Sequence, residues 1–256
     1  MPCKLRLTLA GPAPASPYQH LPGLHRLVLE WVGLANPELA AASHDGRKPY
    51  TVSPLWPAPG HAGRFQVTIG ALADGAADIL RQGIERYGPT IGLGPQQYQL
   101  EQVSVEDEVS WAELAQTAPV SSAYQVRLLS PTRATEPEAP RKAAPPPCPE
   151  GYLASIAQWN RGSPDGVFAL DESVVTFAAE AVQLAACQVR VESLRHFGGV
   201  FVGYVGEVTF EVLEPRRIGP AYLHALAALA RFANYCGTGK GTAAGMGQTE
   251  CRSLLK

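Results

Sequence analysis

Residues 189–212 read VRVESLRHFGGVFVGYVGEVTFEV. Val189 and Val191 alternate with Arg190 and Glu192, and Val208, Phe210 and Val212 alternate with Glu207, Thr209 and Glu211. Gly198 and Gly199 supply a turn between the two arms. A period of two on both arms gives each strand one apolar and one polar face, which is the pattern of a half-buried hairpin. Upstream, Tyr124, Val126 and Leu128 alternate with Gln125 and Arg127, and residues 153–160 read as a helix. Downstream, an amphipathic helix is expected over residues 220–235 and a closing strand over 248–254. The order is βαββαβ. The first half repeats it: a strand at 4–9, a helix from Leu24, strands at 50–53 and 65–69, a helix at 73–81 and extended chain at 98–105. The expected class is α+β, with two tandem ferredoxin-like domains.

Periodicity lapses at AQTAPVSS, residues 115–122, so the boundary is placed there, giving domains 1–117 and 118–256. Residues 131–151 hold seven Pro and are assigned to the second domain, as an irregular connection from strand to helix. With 46% hydrophobic and 17% charged residues the 256-residue chain has too much apolar content for wholesale disorder. Its net charge of -2 supplies no general attraction for polyanions, so any nucleic-acid site must be a local patch. No apolar run reaches the roughly 20 residues of a membrane span. Leu5, Leu7 and Leu9 alternate as in a strand rather than forming a leader, and the cytoplasm is the expected compartment. Five scattered Cys form neither a disulfide framework nor a zinc ribbon.

Two features carry chemistry. GTGKGTAAGMGQ, residues 237–248, contains five Gly and one Lys, and Gly at that density lets backbone N–H groups approach an anion. It follows a helix and precedes a strand, which excludes a phosphate loop of the Walker type, while a ligand-free flexible connection stays open. The second feature is the set His20, His25 and His44 around one segment. Asn36-Pro37-Glu38 is a helix start, with Asn36 as cap, so the chain folds back there and can bring His44 near His25. Arg47 and Lys48 follow within a few residues. Two imidazoles and a cation without a carboxylate cluster suit cleavage of a phosphodiester without a metal. Three unrelated surface histidines are the alternative reading.

These residues resemble a known family. GTGKGTAAGMGQ after FANYCG, NPELAAASHDGRKPYTVSPL, LLSPT at 128–132 and GGVFVGYVGEV are together similar to the CRISPR-associated endoribonucleases of the Cas six family, in the repeat-associated mysterious protein superfamily. The resemblance spans nearly the whole chain. It implies two ferredoxin-like domains and one metal-independent cut in each CRISPR repeat of a precursor transcript, with no cofactor. By motif position His44 matches the family's catalytic histidine and Lys48 a lysine thought to stabilise the phosphorane, while His25 lies where some members carry a second His and others a Tyr. The implied chemistry is attack of a ribose 2′-OH on its own phosphate, leaving a 2′,3′-cyclic phosphate and a 5′-OH.

Because A-form RNA hides its bases in a narrow groove, binding should combine phosphate contacts with reading of unpaired nucleotides. Expected contacts are Gly237, Gly239, Lys240, Gly241, Thr242, Gly245 and Gly247 of the tail loop, Arg127 and Arg133, Arg190, Arg195 and His196, and Arg141 with Lys142. Expected partners are CRISPR repeat RNA, with other effector subunits or a second copy of the chain also open. A non-catalytic guide-RNA-binding subunit of an effector complex and a nucleotide-binding metabolic enzyme are the competing readings.

Overall fold

Strand β1, Cys3–Ala10, buries every second side chain, so Cys3, Leu5, Leu7 and Leu9 enter the core while the residues between face outward. The structure is a computed structural model, and it describes residues 1–44, 48–118, 120–133, 173–196 and 198–254. The chain divides into two units, Met1–Glu108 with Ala243–Gly245, and Val109–Thr242 with Met246–Lys256.

In the first unit β1 leads into helices α1, Leu21–Ala35, and α2, Pro37–His44. The break between them is made as the sequence predicts: Leu39 N–H donates to the Asn36 side-chain oxygen at 2.9 Å, with Pro37 at the first helical position. Strands β2 (Tyr50–Val52), β3 (Trp56–Pro57) and β4 (Arg64–Ala71) follow, then α3 (Ala76–Tyr87), β5 (Thr90–Leu93) and β6 (Gln96–Glu108). The sheet runs β2-β4-β1-β6-β5, every pair antiparallel. Leaving aside the edge strand β5, that is the ferredoxin order. Helix α3 starts three residues later than its apolar pattern predicts because Gly75, at φ 74°, is still in a left-handed turn, and it continues to Tyr87 before Gly88 ends it. Leu80, Gly83 and Ile84 form its buried stripe against α1.

The second unit opens with α4, Trp111–Thr117, a helix the sequence reading does not assign and whose last residues it places in the linker. Ser110 caps it by accepting from Glu113 N–H at 3.0 Å. Strand β7 (Ala123–Thr132), helix α5 (Ser173–Ala181), strands β8 (Val182–His196) and β9 (Gly199–Val212), helix α6 (Pro220–Cys236) and strand β10 (Thr249–Ser253) complete it. Its sheet order, β10-β7-β9-β8, is again the ferredoxin order. The hairpin turns at Gly198, φ 77°, as expected. Beyond the Thr132–Tyr204 pair it continues as two strands, through Arg195–Val200 to His196–Gly199.

The division at 108/109 differs from the expected 117/118. Helix α4 belongs to the second unit because Trp111 is buried against Phe232 of α6, with ring centroids 5.3 Å apart. The helix expected at 153–160 lies outside the described residues. Among the described residues Cys3, Cys187, Cys236 and Cys251 are free thiols, and no helix is long and apolar enough to cross a membrane.

Candidate active site

His25 sits on the apolar stripe of α1, one turn after Leu21 and beside Leu24, and is only 8% exposed. A buried imidazole needs partners for both nitrogens. Its Nδ1 lies 2.7 Å from the carbonyl oxygen of Ala243, in the part of the tail loop that belongs to the first unit. Its Nε2 lies 3.4 Å from Lys48 Nζ, contributed by the residues leading into β2. Tyr50, the first residue of β2, packs its ring against the imidazole with centroids 6.4 Å apart. Burial holds the Lys48 ammonium below its usual range and pushes the Tyr50 phenol above its own. The Tyr50 hydroxyl is buried with no hydrogen-bond partner among the described residues. Lysine and histidine thus meet in a partly dehydrated setting, where an ammonium acts on a neighbouring charge more strongly than in water.

His44 closes α2, four residues before Lys48, and its side chain lies outside the described residues, as do Asp45, Gly46 and Arg47. His20 does not join this group in the contacts it makes. It is buried with its Nε2 2.7 Å from Gln96 Oε1 and 3.0 Å from the Tyr98 hydroxyl. Among the described residues no cluster of three His, Cys, Asp or Glu could hold a metal ion.

The tail loop is built differently from an open anion cradle. Gly237 donates its N–H to Ala233, Thr238 to Gly247, Lys240 to Arg133, Met246 to Gly241 and Gly247 to Pro131, so five donors are already engaged. Gly237 and Gly247 are required by this self-packing: both have positive φ, and a Cβ at Gly247 would stand 2.0 Å from the Thr238 carbonyl oxygen. Lys240 is exposed and Gly239 half-buried, while Thr242 and Gly245 are buried and Gly241 is exposed.

Of the expected RNA-binding cations, Arg127 on β7 faces Glu250 at 3.5 Å, and Arg190 on β8 holds Glu192 at 2.7 Å. Such exposed pairs contribute about 0–1 kcal/mol and exchange readily. Arg133 is half-buried, its carbonyl accepting from Lys240 N–H at 3.0 Å. Arg195 is exposed near the end of β8, the side chain of His196 lies outside the described residues, and so do Arg141 and Lys142. A surface depression lined by Gln125, Arg127, Glu207, Glu250, Cys251 and Arg252 balances two cations with two carboxylates, which leaves little field for an anion.

Sequence reading missed Tyr50 and the Ala243 carbonyl. The aromatic directly after Lys48-Pro49 was the only available signal for the first. A backbone oxygen gives no signal at all.

The family model described as "CRISPR-associated endoribonuclease Cas6" matches residues 110–249, over half of the chain. The chain belongs to the Cas6 family. Solved Cas6 structures share its fold over nearly the full length. Thermus thermophilus Cas6 (TTHB231) is 25% identical with a TM-score of 0.71, covering 98% of each chain. A Cas6 (TTHB231) product complex is also 25% identical, with a TM-score of 0.83, over 98% of this chain and 100% of the other. A Cas6 (TTHA0078) product complex, 22% identical with a TM-score of 0.77 over 98% and 99%, repeats the architecture. No curated protein sequence matches the chain.

Proposed function

We propose that the chain cleaves CRISPR repeat RNA within precursor transcripts, to give guide RNAs, by a metal-independent attack of the 2′-OH on the adjacent phosphate. The observation that carries the reading is the buried imidazole of His25 beside the Lys48 ammonium, 3.4 Å apart, in a member of the Cas6 family. The reaction forms an O2′–P bond and breaks the P–O5′ bond. It needs one group to take the 2′ proton, one to give a proton to O5′, and a cation for the nonbridging oxygens. His25, His44 and Lys48 are the groups assigned to these tasks. Structural neighbours were solved as a product complex, as a substrate mimic complex and as a protein binding different RNA substrates, which supports RNA as the ligand class.

Binding is assigned to Lys240 and the tail loop, Arg133, Arg195 and His196, with Arg127 and Arg190 released from their carboxylates when phosphate arrives. The domain assignment that goes with this reading gives the histidines and Lys48 to the N-terminal domain and most of the RNA contacts to the C-terminal one. Incubation of purified protein with repeat RNA in EDTA tests it. Wild type should yield a 2′,3′-cyclic phosphate and a 5′-OH. RNA that is bound and left intact would instead favour a guide-RNA-binding subunit.

A further inference from the structure

We infer that the tail loop acts on the catalytic histidine itself: the Ala243 carbonyl clamps His25 in the Nδ1–H tautomer and so makes Nε2 the nitrogen that accepts the 2′ proton. The inference rests on the endoribonuclease reading of the site and deepens it. Two contacts point to the same tautomer independently. A carbonyl oxygen only accepts, so the nitrogen 2.7 Å from Ala243 must carry a hydrogen. An ammonium only donates, so the nitrogen 3.4 Å from Lys48 must present its lone pair. In the step itself Nε2 takes the proton from O2′ as the O2′–P bond forms and the P–O5′ bond breaks. O5′ collects its proton from a second, protonated group, and Lys48 turns to the nonbridging oxygens.

The clamp depends on where residues 243–245 lie. Ala243 packs against the core of the first unit. Gly245 rests on Leu21, the first residue of α1, so closely that a Cβ there would stand 2.1 Å from Leu21 Cδ2. Leu21 is fully buried. The backbone of Gly245, at φ 90°, is also one that L side chains rarely adopt. Ala243 is therefore a positioning residue, acting through His25, and the glycine two residues on sets its carbonyl.

The test uses the full chain labelled with ¹⁵N-histidine, with His25 assigned by comparison with His25→Gln. At a pH where the ring is neutral, long-range ¹H–¹⁵N correlation should show His25 with a protonated Nδ1 and an unprotonated Nε2. Gly245→Ala should lose that signature and cleave repeat RNA in single turnover at least about tenfold more slowly, since a mis-set base forfeits part of its catalytic contribution. The wild-type spectrum stands alone if that variant does not fold. An Nε2–H tautomer in wild type, or unchanged cleavage by a variant that has lost the signature, would overturn the proposal. A wild-type spectrum as predicted from a protein that cleaves no repeat RNA would support the clamp and defeat the endoribonuclease reading.

Discussion

Tyr50 brings a hydroxyl into the first unit that burial leaves without a hydrogen-bond partner among the described residues. Such a group costs about 1–3 kcal/mol relative to a bonded one, so Tyr50→Phe should leave the protein as stable or about 1 kcal/mol more stable, read by denaturant midpoint. A loss of stability would mean that the hydroxyl has a partner. His25→Ala should lower the single-turnover rate by about 10²–10⁴-fold with little change in RNA affinity. Lys48→Met should cost about 10²–10³-fold, the magnitude for one electrostatic donor to a developing negative charge. His25 and Lys48 could be singled out in the sequence, as candidates, because imidazole and ammonium are scarce groups with limited chemistry and the family resemblance pointed to them. What they touch was not legible. Ala243 lies 218 residues from His25, and nothing local announces that its carbonyl is the partner.

At the scale of elements, two helix glycines, Gly83 and Gly33, should respond to alanine with opposite signs. Gly83 of α3 meets α1 so closely that a Cβ would stand 2.0 Å from the Trp31 carbonyl oxygen. Gly83→Ala must part the helices, at a cost of about 1–3 kcal/mol or more. At Gly33 of α1 the nearest atom to an added Cβ is Ala40 Cβ at 3.6 Å, an ordinary contact. Gly33→Ala should stabilise by about 0.5–1 kcal/mol through helix propensity. Thermal melts of both variants check the pair. Strands β1, β7 and β9 were readable because each buries one face and so alternates strictly over much of its length. Strand β5 has four residues and α4 has seven, too few for a period to emerge, and α4 depends on the burial of Trp111 against Phe232. Helix α5 was hidden because its apolar residues run without a break into β8, so no change of period marks the junction.

At the scale of the whole molecule, burial raises the pKa values of several thiols and phenols among the described residues of both units. Cys3 is pushed up to about 11 from 9.0 and Cys251 to about 12, and Cys236, Tyr50, Tyr98 and Tyr124 move the same way. In each case the folded value exceeds the unfolded one, so the contribution is fully present below pH 9.0 for thiols and 10.0 for phenols. It is lost as pH rises through the folded values. Lys48, lowered by burial from 10.5, works in the opposite sense, one group against these six. Stability should therefore fall steadily above about pH 9, as melts between about pH 8 and 11 would show. With a net charge of -2 the chain offers no general attraction for polyanions, and two of the cations assigned to RNA, Arg127 and Arg190, already face Glu250 and Glu192.

The claim beneath all of this is that the chain turns the RNA's own 2′ oxygen against the next phosphate. One measurement addresses it directly: single-turnover cleavage of a repeat RNA by wild-type protein in EDTA, beside the same RNA carrying 2′-deoxyribose at the scissile position. We expect cleavage of the first to a cyclic phosphate, and no cleavage of the second despite similar binding. Cleavage of the deoxy substrate, or a requirement for added metal ion, would contradict the account.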